Sequence, residues 1–566
     1  MNLAHLISVA RGELPADLVL ANARVVNVFT GEIEPGNVAI CGDRIAGVGD
    51  YHQAKKVLDL RDKYLAPGLI NGHTHLESSM LALGQYARAV VPRGTLAVVT
   101  DLHELANVCG LEGIRYILSC ARRLPLELFL MAPSCVPATS LETSGASLEP
   151  QALGQILRWK GCIGLGEVMN FPGVLSGDAG VLSKINLAQG RVVDGHAPGV
   201  TGKDLSAYIA AGIYSDHESV SLDEAGDKLR QGMYVMIREG SSEKNLDALL
   251  PLVTDKTYKR CLFVVDDRSC VDLLRDGDID AVVRKAIGLG LDPVRAIQLA
   301  TINAADYFRL GRLGAVAPGY IANLIVLDEL SKLQIDMVFH RGRLVARQGE
   351  PLFPLYQSIG GGLTNTVNVK PFNLEALKLL AWGETEPVIE LVPGQIITKK
   401  RMERVKVSDG VVVPDIGRDI LKLVVVERHK ATGNIGLGLV MGFGLKKGAM
   451  ASSIAHDSHN IIAVGTNDKD IFIAVKEIER LQGGLVVVAN DKVLASLALP
   501  IAGLLSDEPL EVVVAKLEEL EQLARDLGTT LPSPFSTLSF LALPVIPELR
   551  LTDLGLVDVN HFRLVK

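Results

Sequence analysis

The chain has 12 histidines among 566 residues, and five of them lie between residues 73 and 217 in segments of one form. Each segment is an apolar run followed by residues that bind metals or move protons. They read Asn71-Gly72-His73-Thr74-His75, Asp101-Leu102-His103-Glu104, Asp194-Gly195-His196 and Ser215-Asp216-His217-Glu218. Two further runs end in Gly166-Glu167 and Asp266-Asp267 without a histidine. Alternate residues of a strand point the same way, so His73 and His75 can reach one ion from one side. Imidazole nitrogens mixed with carboxylates suit zinc, iron or manganese, whereas magnesium and calcium prefer all-oxygen sites. A lone loop histidine is usually only a solvated or satisfied side chain. Four histidines and two carboxylates (His73, His75, Glu167, His196, His217 and one of the paired aspartates) at successive strand ends are a metal site. Neighbouring strand residues face opposite sides, so only one of Asp266 and Asp267 can address the ions. Asp266 follows its apolar run directly and is favoured.

These ends need a scaffold that brings them together. From residue 64 onward, apolar runs alternate with amphipathic stretches such as 110–123 and 151–160, the rhythm of β/α units on a parallel sheet. Eight runs (64–71, 96–100, 126–132, 162–166, 191–194, 211–215, 233–237 and 261–265) predict a (β/α)8 TIM-type barrel of about 250 residues, with its active site where the strands end. Residues 18–50 read as short strands divided by turns. Strand-like stretches at 323–327 and 337–341 return to complete that module. The expected organisation is a split β-sandwich-like module over 1–63 and 311–365, the barrel over 64–310, and a C-terminal α+β domain over 366–566, an α/β protein overall.

Composition bounds the rest. A net charge of −8 with both signs mixed and no basic stripe argues against nucleic acid or an anionic membrane as partner. Seven scattered cysteines without a C-x-x-C pair fit a reduced, cytoplasmic setting. The first residues carry no export signal, and the longest apolar stretches, such as 493–505, fall short of the roughly 20 residues a membrane span needs. In the last domain, His456-Asp457-Ser458-His459 looks like a small metal or triad site. No Gly-x-Ser-x-Gly elbow surrounds Ser458, and the glycines at 436, 438, 442 and 444 precede no Gly-Lys-Ser/Thr. That domain is expected to cover the barrel mouth, with His456 and His459 supplying polar contacts.

The run Leu65-Ala66-Pro67-Gly68-Leu69-Ile70-Asn71-Gly72-His73-Thr74-His75, inside a split β module, resembles the amidohydrolase superfamily. The resemblance implies H-x-H on strand 1, histidines on strands 5 and 6, and an aspartate on strand 8, which again favours Asp266. Hydantoinase-like and urease-like members carry a carboxylated lysine on strand 4. Here Glu167 takes that place, and the nearest lysine, Lys160, precedes the strand. Closer still, and over essentially the full length, the chain resembles the bacterial and archaeal adenine deaminases. The matching stretches are 75–79, 165–170, 194–199, 215–218, 426–434 and 455–460, with Leu102 standing where proline is expected, a departure expected to alter only the local turn.

The resemblance implies two divalent ions, manganese or iron in preference to zinc. His73, His75 and Asp266 hold one, His196 and His217 the other, and Glu167 bridges them. It implies purine salvage, in which a metal-activated hydroxide attacks C6 of adenine and Asp266 passes its proton to the leaving amine, giving hypoxanthine and ammonia. Glu77 and His103 then either address the purine nitrogens, hold a further metal or brace a ligand, while Asp267 and Glu218 stand at the edge of the site. A homo-oligomer, taken as a dimer, is the expected assembly. Two rivals remain open: an amidohydrolase acting on a cyclic amide or another aminopurine, and a barrel scaffold without catalysis.

Overall fold

A computed structural model describes residues 2–354 and 362–565. Residues 355–361, within the segment expected to return to the β module, lie outside the described residues, as do Met1 and Lys566. The part that positions the candidate site is a parallel array. Leu69–Asn71 (β1), Thr95–Thr100 (β2), Glu127–Ala132 (β3), Cys162–Val168 (β4) and Val192–Gly195 (β5) pair in sequence order as one sheet. Ser215–Asp216 (β6), Tyr234–Arg238 (β7) and Cys261–Val264 (β8) pair in order as another. Side chains alternate along these strands as period-2 pleating requires. Ile70, Ala97, Val99, Met131, Met236, Leu262 and Val264 share one core, whereas Val98, Leu130, Val235, Ile237 and Phe263 pack with the surrounding helices.

No strand ladder joins β5 to β6. Instead the Gly195 amide donates to Ser215 Oγ at 3.1 Å. A Cβ on Gly195 would sit 2.1 Å from the Ser215 carbonyl oxygen, so only glycine allows this approach. At the other seam the chain leaves β8 and forms a two-residue parallel ladder, Asp266–Asp267 against Thr74–His75, and the Asp266 amide donates to the His73 carbonyl at 3.0 Å.

Three expectations are corrected here. Residues 64–71 are not one strand: Tyr64–Pro67 belongs to an outer sheet and Leu69–Asn71 to the parallel array. The break falls at Gly68, where a Cβ would meet Leu96 Cδ1 at 2.6 Å, and proline at 67 already favours a change of direction. The sixth run shrinks to Ser215–Asp216, because Ala211 caps the helix Gly202–Ala210 and Gly212 turns the chain at φ +96°. The outer module hydrogen-bonds as a single nine-stranded sheet rather than as two. Its long strand Ala16–Val26 is bulged between Leu20 and Ala23 and takes Ala54–Asp59 along one half and Tyr64–Pro67 along the other. The sheet therefore rolls around one core that includes Leu20, Val25, Ile40, Leu65, Leu324 and Phe339. The strands Leu324–Glu329, Gln334–His340 and Arg343–Arg347 complete it from the far side of the parallel array. A helix not read from the sequence, Leu3–Ala10, precedes it, capped by the Asn2 side chain.

The outer sheet is pinned to β3 by a charge cluster. Glu127 accepts from Arg341 through Nε at 2.6 Å and a terminal nitrogen at 2.8 Å, and His340 Nε2 lies 3.0 Å away. Burial alone would raise this carboxyl, but His340 and Arg341 hold it at about 2, below its ordinary 4.5. A depressed carboxyl stabilises the fold above its unfolded value and loses that contribution as pH falls through the folded one. Glu127→Gln is therefore expected to lower stability by about 2 kcal/mol at pH 7, a modest figure because Arg341 is 44% exposed. In urea melts the gap to wild type should close as pH drops below about 4.5 toward about 2. A gap unchanged across that range would show that the charge is not what pins the sheet.

The C-terminal region forms an eight-stranded, largely antiparallel sheet. Along its strand Ile420–Val426, Val424 and Val426 face the helix Asp468–Leu481, while Leu421, Leu423 and Val425 join the core shared with the parallel array. Residues 453–460 connect Ala449–Ser452 to Ile461–Gly465, and this loop reaches the strand ends where the histidines gather. Among the described residues no helix is long and apolar enough to cross a membrane.

Candidate metal centre

His73 and His75 follow β1, Glu167 is the penultimate residue of β4, His196 follows β5, His217 follows β6 and Asp266 follows β8. The structure brings all six together. Glu167 sits at the middle with its two oxygens facing different partners: Oε1 lies 3.3 Å from His75 Nε2, while Oε2 lies 2.8 Å from His196 Nδ1 and 3.3 Å from His217 Nε2. Asp266 Oδ1 lies 3.0 Å from His75 Nε2 and 3.6 Å from His73 Nε2. The rings of His73 and His217 stack with centroids 4.3 Å apart. Five of the six are buried, and His196, with a side chain 20% exposed, is the one that solvent reaches.

The paired aspartates face different partners. Asp266 adopts φ +61° and turns toward the histidines, while Asp267 accepts a hydrogen bond from Ser78. Glu218 Oε1 lies 3.4 Å from His217 Nε2 and 3.7 Å from His196 Nδ1, at the rim of the cluster. His103 sits one step outside: its Nδ1 is 3.0 Å from Asp101 Oδ1, and that same oxygen is 3.3 Å from His75 Nδ1. Glu77 accepts from the Leu105 amide at 3.3 Å, and its second oxygen is buried without a hydrogen bond. His456 and His459 do not enter the main cluster but meet Glu104 beside it.

Several residues not singled out from the sequence complete the arrangement. Arg238, the last residue of β7, binds Asp266 Oδ2 at 2.7 Å and pairs with Glu218. Arginine is no metal ligand, so a search for donors passes over it, although the strand-end rule applied to β7 leads straight to it. Asp101 and Glu104 flank His103 at the end of β2 and were visible by the same rule.

The electrostatics follow from dense mutual pairing. Burial alone would raise the carboxyls of Glu167 and Asp266, yet the surrounding histidines, with Arg238 beside Asp266, hold both well below the usual carboxylate range. Burial would lower the imidazoles, but the carboxylates raise His217 to about 9 and also hold His75 well above its ordinary value. Glu77 goes the other way, pushed up to about 7 by burial and by the charge of Glu104. His73 Nε2, His75 Nδ1 and His217 Nδ1 are buried with no hydrogen bond. Buried polar atoms are normally satisfied, and imidazole nitrogens beside carboxylates are the donors that a divalent cation satisfies. The residues present therefore fit a metal centre.

Comparison with known proteins agrees with this geometry. Residues 64–345 match the model of the amidohydrolase family, and residues 395–563 match that of the adenine deaminase C-terminal domain. The chain is 63% identical over 564 residues to an adenine deaminase of Dehalococcoides mccartyi, covering 100% of this chain and 99% of that one. It is 51% identical to adenine deaminase 2 of Carboxydothermus hydrogenoformans, covering 99% and 98%, and 44% identical to an adenine deaminase of Halalkalibacterium halodurans, covering 99% and 97%. With the family models spanning both its parallel array and its C-terminal sheet, the chain belongs to the adenine deaminase family of amidohydrolases.

Proposed function

We propose that this chain hydrolyses adenine to hypoxanthine and ammonia at a binuclear metal centre in the mouth of a closed (β/α)8 barrel. Closure is supported by the strand order, the shared inner core and the short polar links at both seams. The observation that carries the reading is the Glu167 carboxylate, divided between His75 on one oxygen and His196 with His217 on the other. That division would suit a bridge between two cations, one of which His73, His75 and Asp266 would hold and the other His196 and His217. Manganese and iron suit this mixed nitrogen and oxygen set, and zinc is admitted by it. When bound, the ions lower the pKa of water toward about 7 and polarise the substrate.

The chain's own residues do the rest. Arg238 fixes Asp266 through Oδ2 and leaves Oδ1 facing the histidines. Asp266 Oδ1 is thereby placed to accept the proton of the attacking water and return it to the departing amine, the work of a general acid/base. Glu77, carrying a proton near neutral pH, offers an O–H to a purine ring nitrogen, and His103 is braced by Asp101 on the same side. The near-complete burial of the cluster excludes bulk water and strengthens each of these interactions.

The test is ammonia release from adenine, adenosine, guanine and cytosine by metal-loaded protein. Adenine is expected to react fastest, because the named relatives are deaminases of the free base. Faster release from adenosine would overturn the free-base reading. Hydrolysis of cyclic amides with no ammonia from any purine would replace deamination altogether.

A further inference from the structure

Outside the cluster at Glu167, a second group of donors spans two parts of the fold. Glu104 opens the helix after β2, and its carboxylate faces the loop 453–460 of the C-terminal sheet. His456 Nδ1 lies 2.8 Å from Glu104 Oε1, and His459 Nε2 meets Glu104 Oε2. One donor atom from each of the three lies within 4.8 Å of the other two, and all three residues are buried. Asp457 stands beside them, with Oδ1 3.8 Å from His456 Nδ1 and 3.9 Å from His103 Nε2. Two atoms here are buried without a hydrogen bond: His459 Nε2, although it faces a carboxylate, and Asp457 Oδ2.

We propose that Glu104, His456 and His459 bind a third divalent cation, separate from the pair at Glu167, with Asp457 as a fourth donor. Two imidazoles and a carboxylate form a set that zinc accepts, as do manganese and iron. A cation would take up the lone pair on His459 Nε2 and the free oxygen of Asp457, and would offset the charge of two buried carboxylates, which is costly when unpaired. Its place is between the barrel's second strand end and the C-terminal loop, so it would tie the two together without entering the reaction.

A metal-free arrangement competes with this one. The Ala455 amide donates to His459 Nδ1 at 3.3 Å, which leaves the proton of a neutral ring on Nε2, facing Glu104. A cation at Nε2 moves that proton to Nδ1 and ends the Ala455 bond. Without a cation the three residues are only a hydrogen-bonded clamp, and metal content separates the two cases.

Wild type and His456→Gln/His459→Gln are loaded with Mn²⁺ or Zn²⁺, desalted, and analysed for metal per chain, with folding followed by circular dichroism. The double variant is expected to hold about one ion fewer than wild type. Equal metal in the two folded proteins overturns the proposal and leaves the clamp. If the double variant fails to fold, His456→Gln alone makes the comparison; its ring stacks on Phe540 at the edge of the loop, and an unchanged metal content there also overturns the third site. The difference between proteins is the readout, so the binuclear reading is tested apart. Wild type with two ions and variant with one would remove the pair but keep this site, whereas two in both would do the reverse.

Discussion

Asp266→Asn is expected to leave a folded protein that keeps at least part of its metal and loses roughly 10²–10⁴-fold in turnover, the usual cost of removing a proton-transfer group. The neighbours decide which way the amide sits. Arg238, 2.7 Å from Oδ2, only donates, so the single oxygen of an asparagine would turn toward it. The amide nitrogen would then face His73 and His75, where Oδ1 now lies, and no proton acceptor would remain on that side. Asp267→Asn should be far milder, because Asp267 accepts from Ser78 instead of facing the histidines. Rates must be measured beside metal content, to separate failed proton transfer from an emptied site. Near-normal turnover in Asp266→Asn with a dead Asp267→Asn would hand the role to the neighbour, and two active variants would remove strand 8 from the mechanism.

The second large effect is expected at Glu167. Glu167→Gln keeps the size of the side chain but retains one oxygen in place of two, and its amide nitrogen cannot ligate a cation. Of the contacts to His75, His196 and His217, the glutamine can serve one side only. We expect metal content to fall by at least one ion per chain and turnover to fall on the order of 10³-fold, about 4 kcal/mol at 1.36 kcal/mol per decade. A folded Glu167→Gln protein with full metal and normal rate would falsify the bridge. In either case the fold should survive, because the inner core of Ile70, Val99, Met236 and Leu262 contains no ligand.

Much of this site was legible because strand ends impose order on sequence. His73 and His75 are two apart, and the carboxylates and other histidines each close an apolar run, so the topology alone draws them together. Arg238 obeys the same rule but is no metal ligand, so donor chemistry alone does not point to it. The pairing of Glu104 with His456 and His459 is different in kind. The motifs are separated by most of the parallel array and half the C-terminal sheet, and no local pattern states that they meet. Leu102 shows another limit. It stands where proline is expected, and its backbone has φ +54°, whereas proline is held near −65°. The turn made here is one that proline could not make, and the residue type alone does not state it. The single apolar run 64–71 also concealed two strands in two sheets, since hydrophobicity marks burial but not the sheet in which a segment is buried.

The outer sheet also sets a timetable for synthesis. Tyr64–Pro67 pairs along one edge with Leu324–Glu329, so the ribosome must deliver the whole intervening array before the partner strand emerges. At about 5–20 residues per second, that is a wait of roughly ten to fifty seconds. During that interval Ala16–Val26 and its early neighbours present an open β edge with half of their core, Leu20, Val25 and Leu65 among it, still uncovered. Open edges of this kind recruit other strands. The nascent chain is thus most exposed to misassociation at its beginning, and truncations ending before residue 324 should aggregate even when the parallel array they contain is complete.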